Sequence, residues 1–155
     1  MKRDTTNNRG FSMVELIVVI AIMAILAGAL APVLIRYVNK ARLSTDIDTG
    51  KEIAKAMMTA LTEEDIRDNA VVHDTTPQAV EDMDGNDFKK EVYDILGQST
   101  IKGKSKKDAD GAKMENGSPQ FYYTLDADKN QVTIYYGGTD ADHQIHPVVG
   151  KKLLK

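Results

Sequence analysis

The hydrophobic pattern separates one long uncharged stretch near the N-terminus from a more polar remainder. Leu16 to Ile35 is twenty residues without a charge, and Glu15 is the only ionisable residue between Phe11 and Ile35. A helix rises about 1.5 Å per residue, so twenty apolar residues reach roughly 30 Å, the thickness of a bilayer's hydrocarbon core. The pattern therefore predicts a helix that can span a membrane.

The helical signal continues past Ile35, but it becomes one-sided. Apolar residues recur at three- and four-residue spacing, which predicts an amphipathic helix packed against a small core. Charged residues, Asp46 among them, are assigned to the opposite face. The two segments together predict one helix from about Ser12 to about Thr62, too long for an ordinary globular helix. The predicted apolar stripe consists of Tyr37, Ala41, Ile47, Ala54, Met57, Met58 and Leu61.

Shorter elements are predicted after this helix. Residues 63–85 are predicted to be a loop, Asp87 to Leu96 a short helix, and residues 97–119 a mobile loop rich in Gly, Lys, Ser and Asp. Residues 121–125 and 132–136 alternate between apolar and polar positions across a turn, which predicts a β-hairpin with one apolar face. A third short strand is predicted at Ile145–Val149, broken by Pro147.

These elements predict an α+β fold, in which one long N-terminal helix packs its second half on a small antiparallel sheet of two to four strands. The predicted division is 1–10 as a polar leader, 11–35 as the transmembrane half of the helix, and 36–155 as a head domain.

Charge and composition exclude several classes of function. The formal net charge is -3, and because Lys2, Arg3 and Arg9 outweigh Asp4, the part after Gly10 carries about two more negative charges. An acidic balance argues against direct nucleic-acid binding, which needs a basic face. The chain has no cysteine, so disulfides, thiolate metal sites and cysteine nucleophiles are excluded.

The candidate chemical sites have weak signals. Asp126, Asp128 and Asn130 resemble the start of a calcium loop but lack its glycine and closing glutamate, so a hairpin turn is the preferred interpretation. Residues 82–87 fit a turn and helix N-cap. His143 and His146 are predicted to be solvated rather than metal ligands. No nucleophile–base pair or phosphate loop is present, so the sequence predicts no enzyme, no cofactor and no metal.

The informative unit is the stretch from Arg9 to Pro32, RGFSMVELIVVIAIMAILAGALAP. A secretory signal peptide also has a basic start and an apolar core, and Ala29-Leu30-Ala31 has the small residues of its cleavage site. That alternative fits poorly, because the apolar run is long, a glutamate stands near its start, and Pro32 would follow the cut. A plain membrane anchor is a further alternative.

At these residues the sequence resembles the type IV prepilins and the related pseudopilins. In that family a basic leader ends in Gly, Phe usually follows the cut, and Glu stands fifth in the mature chain. Gly10, Phe11 and Glu15 match these positions, and Pro32 stands where many pilins have proline. The resemblance implies cleavage between Gly10 and Phe11 by a prepilin peptidase, followed by N-methylation of Phe11.

The resemblance also implies a role for Glu15 in assembly, where its carboxylate would pair with the Phe11 amine of a neighbouring subunit. Placing a carboxylate at bilayer depth costs free energy, so the presence of Glu15 there suggests a function. The alternative is a glutamate at the membrane boundary that headgroups solvate. Gly28 and Pro32 are predicted to weaken the helix, as a modest kink or, by the resemblance, as a segment that partly melts on packing.

The function that the resemblance implies is a structural subunit of a type IV pilus-like filament. Its partners would be identical or homologous pilin subunits, the prepilin peptidase, an assembly platform protein with its ATPase, and membrane lipid. It would cross the cytoplasmic membrane once before assembly and lie in a cell-surface filament afterwards. The alternatives are a pseudopilin of a type II secretion or DNA-uptake apparatus, and an anchored or secreted ligand-binding domain.

Overall fold

The computed structural model describes residues 10–69, 73–83, 86–114, 119–126 and 131–154. The chain divides into an N-terminal unit, Met1–Tyr37, and a head unit, Val38–Lys155. Three short 3-10 turns lie at Val80–Asp82, Ala141–His143 and Lys151–Leu153. The main elements are α1 (Met13–Ala60), α2 (Glu64–Asn69), β1 (His73–Ala79), α3 (Asn86–Leu96), β2 (Phe121–Asp126), β3 (Gln131–Tyr136) and β4 (Gln144–His146). The predicted α+β class, with a long N-terminal helix and a small antiparallel sheet, is confirmed.

The part of α1 within the N-terminal unit exposes its apolar side chains. Phe11, just before the helix, is 85% exposed, and residues such as Ile25 and Leu34 are exposed as well. Among the described residues α1 is the one helix long and apolar enough to cross a membrane, and none of its most apolar window is buried within the protein.

The part of α1 within the head unit buries one face against a common core. Leu43, Ile53, Met57 and other residues at three- and four-residue spacing are buried there. The predicted stripe is correct from Ile47 onward, since its members are buried or packed against the core. It is wrong at its start, because Tyr37 and Ala41 are exposed.

The sheet that faces this core has strand order β1-β2-β3-β4 with antiparallel pairing throughout. Alternate residues of β2 and β3 are buried, and the pairs Phe121–Tyr136, Tyr123–Ile134 and Leu125–Val132 lie opposite each other. The predicted hairpin is therefore confirmed, while its turn at 127–130 lies outside the described residues. The predicted third strand is β4, which ends immediately before Pro147.

Contact between α1 and β4 is close because of a glycine. A Cβ built on Gly50 would lie 2.5 Å from Cδ1 of Ile145, which is itself buried. Since real Cβ atoms do not approach other atoms this closely, glycine lets the β4 side chain rest on the helix backbone.

The prediction of a loop over residues 63–85 is wrong, because α2, β1 and a 3-10 turn form there. The strand β1 has the sequence HDTTPQA, which is polar and contains Pro77. It lacks the alternation that marks a strand, and it forms at the sheet edge where proline is tolerated. Residues 97–114 contain no helix or strand, as predicted, yet Ile101, Ser105 and Met114 are buried.

Candidate functional site

The predicted processing junction lies immediately before α1. Gly10 and Phe11 are both exposed, and a Cβ built on Gly10 would meet no atom within 4 Å. Residues 1–9, including Arg9 and the rest of the predicted leader, lie outside the described residues. The two residues that flank the predicted cut are therefore exposed among the described residues, and cleavage between them stays a prediction.

The first turn of α1 is closed by a reciprocal pair of hydrogen bonds. The Ser12 hydroxyl accepts a hydrogen bond from the Val14 amide at 3.3 Å, and the Ser12 amide donates to Glu15 Oε2 at 2.8 Å. This arrangement is a capping box, which satisfies amides that the start of a helix leaves without carbonyl partners. The carboxylate also lies at the positive end of the helix dipole, where a negative charge is favoured.

A capping role for Glu15 was not among the predictions from the sequence, although the pattern that indicates a cap is present there. Ser12 and Glu15 form the S-x-x-E pattern directly before an apolar run, which is the sequence signature of a capping box. Both residues follow the predicted cut, so processing leaves the cap in place. Glu15 Oε1 accepts no hydrogen bond from the described residues, so one carboxylate oxygen stays available.

Gly28 and Pro32 lie inside an uninterrupted helix. Proline has no amide hydrogen, and the partner it would have used at helical spacing is the carbonyl of Gly28. Gly28 and Pro32, the two residues that weaken the helix, are therefore the acceptor and the absent donor of the same backbone hydrogen bond. Both are exposed, and partial melting of this turn on assembly stays a prediction.

The predicted site residues are consequently spread along one exposed helix rather than gathered in a pocket. Gly10, Phe11 and Glu15 lie at its start, and Gly28 and Pro32 lie further along. This arrangement leaves an exposed apolar surface and an exposed Gly10–Phe11 junction. It does not juxtapose a nucleophile with a base.

The head unit contains a buried carboxylate that the sequence interpretation assigned to the solvent face. Asp46 is 1% exposed. Its Oδ1 accepts from the Lys104 amide at 2.8 Å, its Oδ2 accepts from the Ser105 amide at 2.7 Å, and the Tyr136 hydroxyl lies 2.7 Å from Oδ2. These donors come from residues far away in the sequence, so no local pattern could have revealed the burial of Asp46.

The Tyr136 hydroxyl completes this Asp46 cluster, which we define as Asp46, Lys104, Ser105 and Tyr136. The hydroxyl accepts from the Ser105 amide at 3.1 Å and also contacts the Ser105 carbonyl oxygen. Burial raises the pKa of Tyr136, and the hydrogen bond and negative charge of Asp46 raise it further. Gly103 is required beside the ring, because a Cβ there would lie 2.3 Å from Tyr136 Cε2.

The prediction that His143 is solvated is wrong, since it is 2% exposed. Its Nδ1 lies 2.8 Å from Asp140 Oδ1, and the same oxygen accepts from the His143 amide at 3.1 Å. Burial opposes ionisation of Asp140, but the hydrogen bond and charge of His143, aided by Lys152, hold the pKa of Asp140 below its usual value. Half-burial lowers the pKa of His146. His143 is thus buried next to β4, and His146, the last residue of β4, is partly buried.

The described residues contain no group of three or more His, Cys, Asp or Glu side chains arranged to hold a metal. Asp126 ends β2 and is described, whereas Asp128 and Asn130 lie outside the described residues. Asp82 lies in a 3-10 turn, while positions 84 and 85 of the predicted N-cap turn also lie outside them.

Comparison with known proteins finds a family match for the N-terminal segment of the chain. A family model described as the prokaryotic N-terminal methylation motif matches residues 5–31, and this motif is the type IV pilin and pseudopilin signature. No curated protein and no solved structure matches the chain. The resemblance stated from the sequence is confirmed. The match includes Gly10, Phe11, Glu15 and Gly28 and ends just before Pro32.

The motif supports a protein of the type IV pilin-like or pseudopilin-like kind, which is a structural class rather than an enzyme class. It implies processing by a prepilin peptidase and assembly into pilin polymers. Together with the long apolar helix, it fits membrane anchoring before assembly.

Proposed function

We propose that this chain is a structural subunit of a type IV pilus-like filament. The peptidase cuts between Gly10 and Phe11, the new Phe11 amine is methylated, and the apolar half of α1 holds the subunit in the cytoplasmic membrane until it is assembled. The observation that carries this proposal is the combination of the methylation motif with an apolar helical segment that the described residues leave unburied.

Unburied apolar surface on this scale needs a partner. Soluble monomers rarely expose contiguous apolar patches of more than a few hundred Å², whereas here an entire stretch of α1 is exposed on all sides. Lipid covers it before assembly, and the same segments of neighbouring subunits cover it in the filament. Burial against protein contributes about 25 cal/mol for each Å² of apolar surface removed from water, so packing of these helices keeps the filament together outside the membrane.

Glu15 has two separable roles in this proposal. Oε2 caps its own helix through the Ser12 amide, and Oε1 receives the Phe11 amine of an adjacent subunit. The second contact neutralises a carboxylate that would otherwise lie unpaired among apolar helices. Pairing of this kind fixes the stagger between neighbours, because a subunit docked one turn out of register leaves both charges without partners.

The assembly partners of the proposal are identical or homologous subunits, the platform protein and its ATPase. The head unit (Val38–Lys155) supplies the outer surface of the filament. A pseudopilin of a secretion or DNA-uptake apparatus is the second candidate, because it would carry the same motif and the same apolar helix.

The test is the mature N-terminus together with the location of the product. We expect intact-mass analysis of protein sheared from the cell surface to give a chain that begins at Phe11 with one added methyl group. Electron microscopy of the same fraction should show filaments labelled by antibody against the head unit. A mature terminus at Pro32 contradicts the proposal, and processed protein that never leaves the membrane while secretion or DNA uptake fails favours the pseudopilin.

A further inference from the structure

A short basic segment follows the uncharged stretch of α1. We define it as Arg36, Lys40 and Arg42, which occur within seven consecutive residues. All three side chains are exposed. No acidic residue occurs in the sequence between Glu15 and Asp46, so this part of the helix is positively charged.

The position of the basic segment along α1 matches the headgroup layer of a membrane. The helix continues without interruption through it, so its residues cover about 9 Å of the helix axis at about 1.5 Å per residue. When the preceding twenty uncharged residues fill the hydrocarbon core, roughly 30 Å thick, the basic segment begins where the headgroups begin. The headgroup layer is about 5–8 Å thick on each side of the core, and long basic side chains can extend within it.

The described part of the chain does not neutralise the basic segment. None of its three residues forms an ion pair with a described residue. Arg42 and Asp46 stand four positions apart on the helix, a spacing that allows an ion pair. The Asp46 oxygens instead accept hydrogen bonds from backbone amides of the head unit. The positive charges are therefore available to an anionic partner.

The proposed processing would leave the basic segment as the main source of net charge beside the span. The leader, residues 1–10, has three basic residues and one acidic residue, and the cut removes all of them. The start of the processed helix then carries the positive Phe11 amine and the negative Glu15 carboxylate, whose charges cancel. The net positive charge next to the span is then that of the basic segment.

An exposed aromatic residue favours a lipid partner over a purely ionic one. Tyr37 is 68% exposed and follows Arg36 directly in the sequence. Tyrosine is enriched at membrane–water interfaces, because its ring is apolar while its hydroxyl can form hydrogen bonds with the headgroups. A soluble anion would contact the charges but not the ring.

We propose that the basic segment binds the phosphate groups of anionic phospholipids, in the leaflet at the C-terminal end of the span. These contacts fix the depth of the processed subunit in the membrane. They are lost when the helix leaves the bilayer, so they retain the subunit until assembly supplies other contacts. The proposal rests on the membrane-anchored state of the proposed function, and it holds for a pilus and for a pseudopilus.

The experiment uses the full processed chain, labelled for NMR, in phosphatidylcholine bicelles that contain an increasing fraction of phosphatidylglycerol. We expect the amide resonances of residues 36–42 to shift with that fraction until they saturate, and those of residues 51–55 to stay unchanged. Lys40→Gln should raise the fraction needed for half-saturation about fivefold, as expected for one basic side chain at an anionic surface. Lys55→Gln, at an exposed lysine further along the same helix, is the matched control and should leave it unchanged.

Three outcomes overturn the lipid proposal and leave the filament proposal intact. The first is an inserted chain whose resonances do not respond to phosphatidylglycerol. The second is an equal effect of Lys40→Gln and Lys55→Gln, which would show a non-specific surface potential. The third is a shift that follows protein concentration at fixed lipid composition, which would assign the basic segment to the acidic surface of another copy. A chain that does not insert into bicelles of either composition contradicts the membrane anchor, and with it both proposals.

Discussion

Each half of α1 contains an acidic residue with a distinctive environment, Glu15 in the first half and Asp46 in the second, and the two environments are opposite. Glu15 is exposed and closes the first turn of its own helix. Asp46 is 1% exposed and accepts hydrogen bonds from backbone and side-chain donors of distant segments. The first half presents apolar side chains that the described residues leave exposed, whereas the second half is packed against the rest of the head unit.

The composition of each half follows from this difference. A surface covered by lipid and then by identical helices can be apolar on all sides, and the first half has large aliphatic residues around its whole circumference. A surface covered by a sheet of the same chain needs close complementarity on one face only. Ala54, Ala56 and Ala60 with Gly50 provide a shallow face there, on which larger side chains of the sheet can rest.

The largest effect is expected from separating the two halves. A fragment that begins at Arg36 removes the exposed apolar segment and retains the whole head unit, so we expect it to be a soluble, folded monomer while the longer chain needs detergent. Sedimentation analysis and circular dichroism measure this. A fragment that is unfolded would show that the head core needs residues before Arg36.

Two substitutions at Glu15 distinguish its role as a helix cap from the role of its negative charge. Glu15→Ala removes both, and loss of one partner of a buried ion pair costs on the order of 3–5 kcal/mol at every subunit added. We therefore expect processed protein to accumulate in the membrane without filaments. Glu15→Gln keeps an oxygen that can accept from the Ser12 amide but removes the charge, and it should also abolish filaments.

The measurements for Glu15 are electron microscopy of the cell surface and immunoblots of membrane fractions. Normal filaments from Glu15→Gln cells would show that the cap alone is required. Normal filaments from Glu15→Ala cells would show that the carboxylate is only a solvated boundary group.

Substitution of Asp46 tests the packing of the second half. Asp46→Ala leaves the Lys104 amide without its acceptor, while the Ser105 amide and the Tyr136 hydroxyl lose one acceptor each and keep the other; a buried donor left unpaired costs about 1–3 kcal/mol. We expect the fragment from Arg36 to lose about 1–3 kcal/mol of its free energy of unfolding, measured by chemical denaturation. Asp48→Ala, an exposed acid on the same helix, is the matched control and should change stability little.

The glycines of the two halves provide a matched pair of smaller substitutions. Gly50→Ala places a methyl group against Ile145 and should destabilise the fragment by about 1–3 kcal/mol, because overpacking forces the neighbouring side chain to move. Gly28→Ala meets no atom within 4 Å, and the higher helix propensity of alanine should stabilise α1 of the full chain by up to about 1 kcal/mol. Thermal unfolding followed by circular dichroism compares them, and equal effects would contradict the proposed difference between the halves.

The smallest expected effect is a loss of head stability in alkaline solution. The pKa of Tyr136 is raised in the folded head above its unfolded value of 10.0, so this stabilising difference is fully present below pH 10 and is lost as the pH rises above it. The free energy of unfolding should fall by about 1.4 kcal/mol for each pH unit there. Tyr136→Phe should show a shallower decline, and an unchanged slope would remove Tyr136 as the cause.

Sequence patterns predicted the elements whose signals are local. Local hydrophobic patterns indicate three such elements. They are the uncharged stretch ending at Ile35, the alternating strands β2 and β3, and the short helix α3. The strand β1 has no such signal, since HDTTPQA pairs through its backbone with β2 rather than through an apolar face. Edge strands of this kind depend on a neighbour that a local pattern does not include.

Asp46 and His143 are residues whose burial the sequence does not predict. A charged residue on an amphipathic helix is normally solvated, so the sequence predicts an exposed Asp46, whereas in the structure donors from residues 104, 105 and 136 surround it. His143 was assigned to solvent because of its neighbours in sequence, whereas Asp140 and the packing around β4 bury it. The Ser12–Glu15 cap differs from both, because its pattern lies within one helical turn and could have been predicted.

The Asp46 cluster has a consequence for the order in which the head folds. Its hydrogen bonds join residues separated by 58, 59 and 90 positions, and contacts of such long range form only after the intervening chain has been confined. A chain that leaves the ribosome from its N-terminus presents Asp46 long before Tyr136 has been synthesised. The carboxylate therefore cannot acquire its full set of hydrogen bonds until Tyr136 has been synthesised.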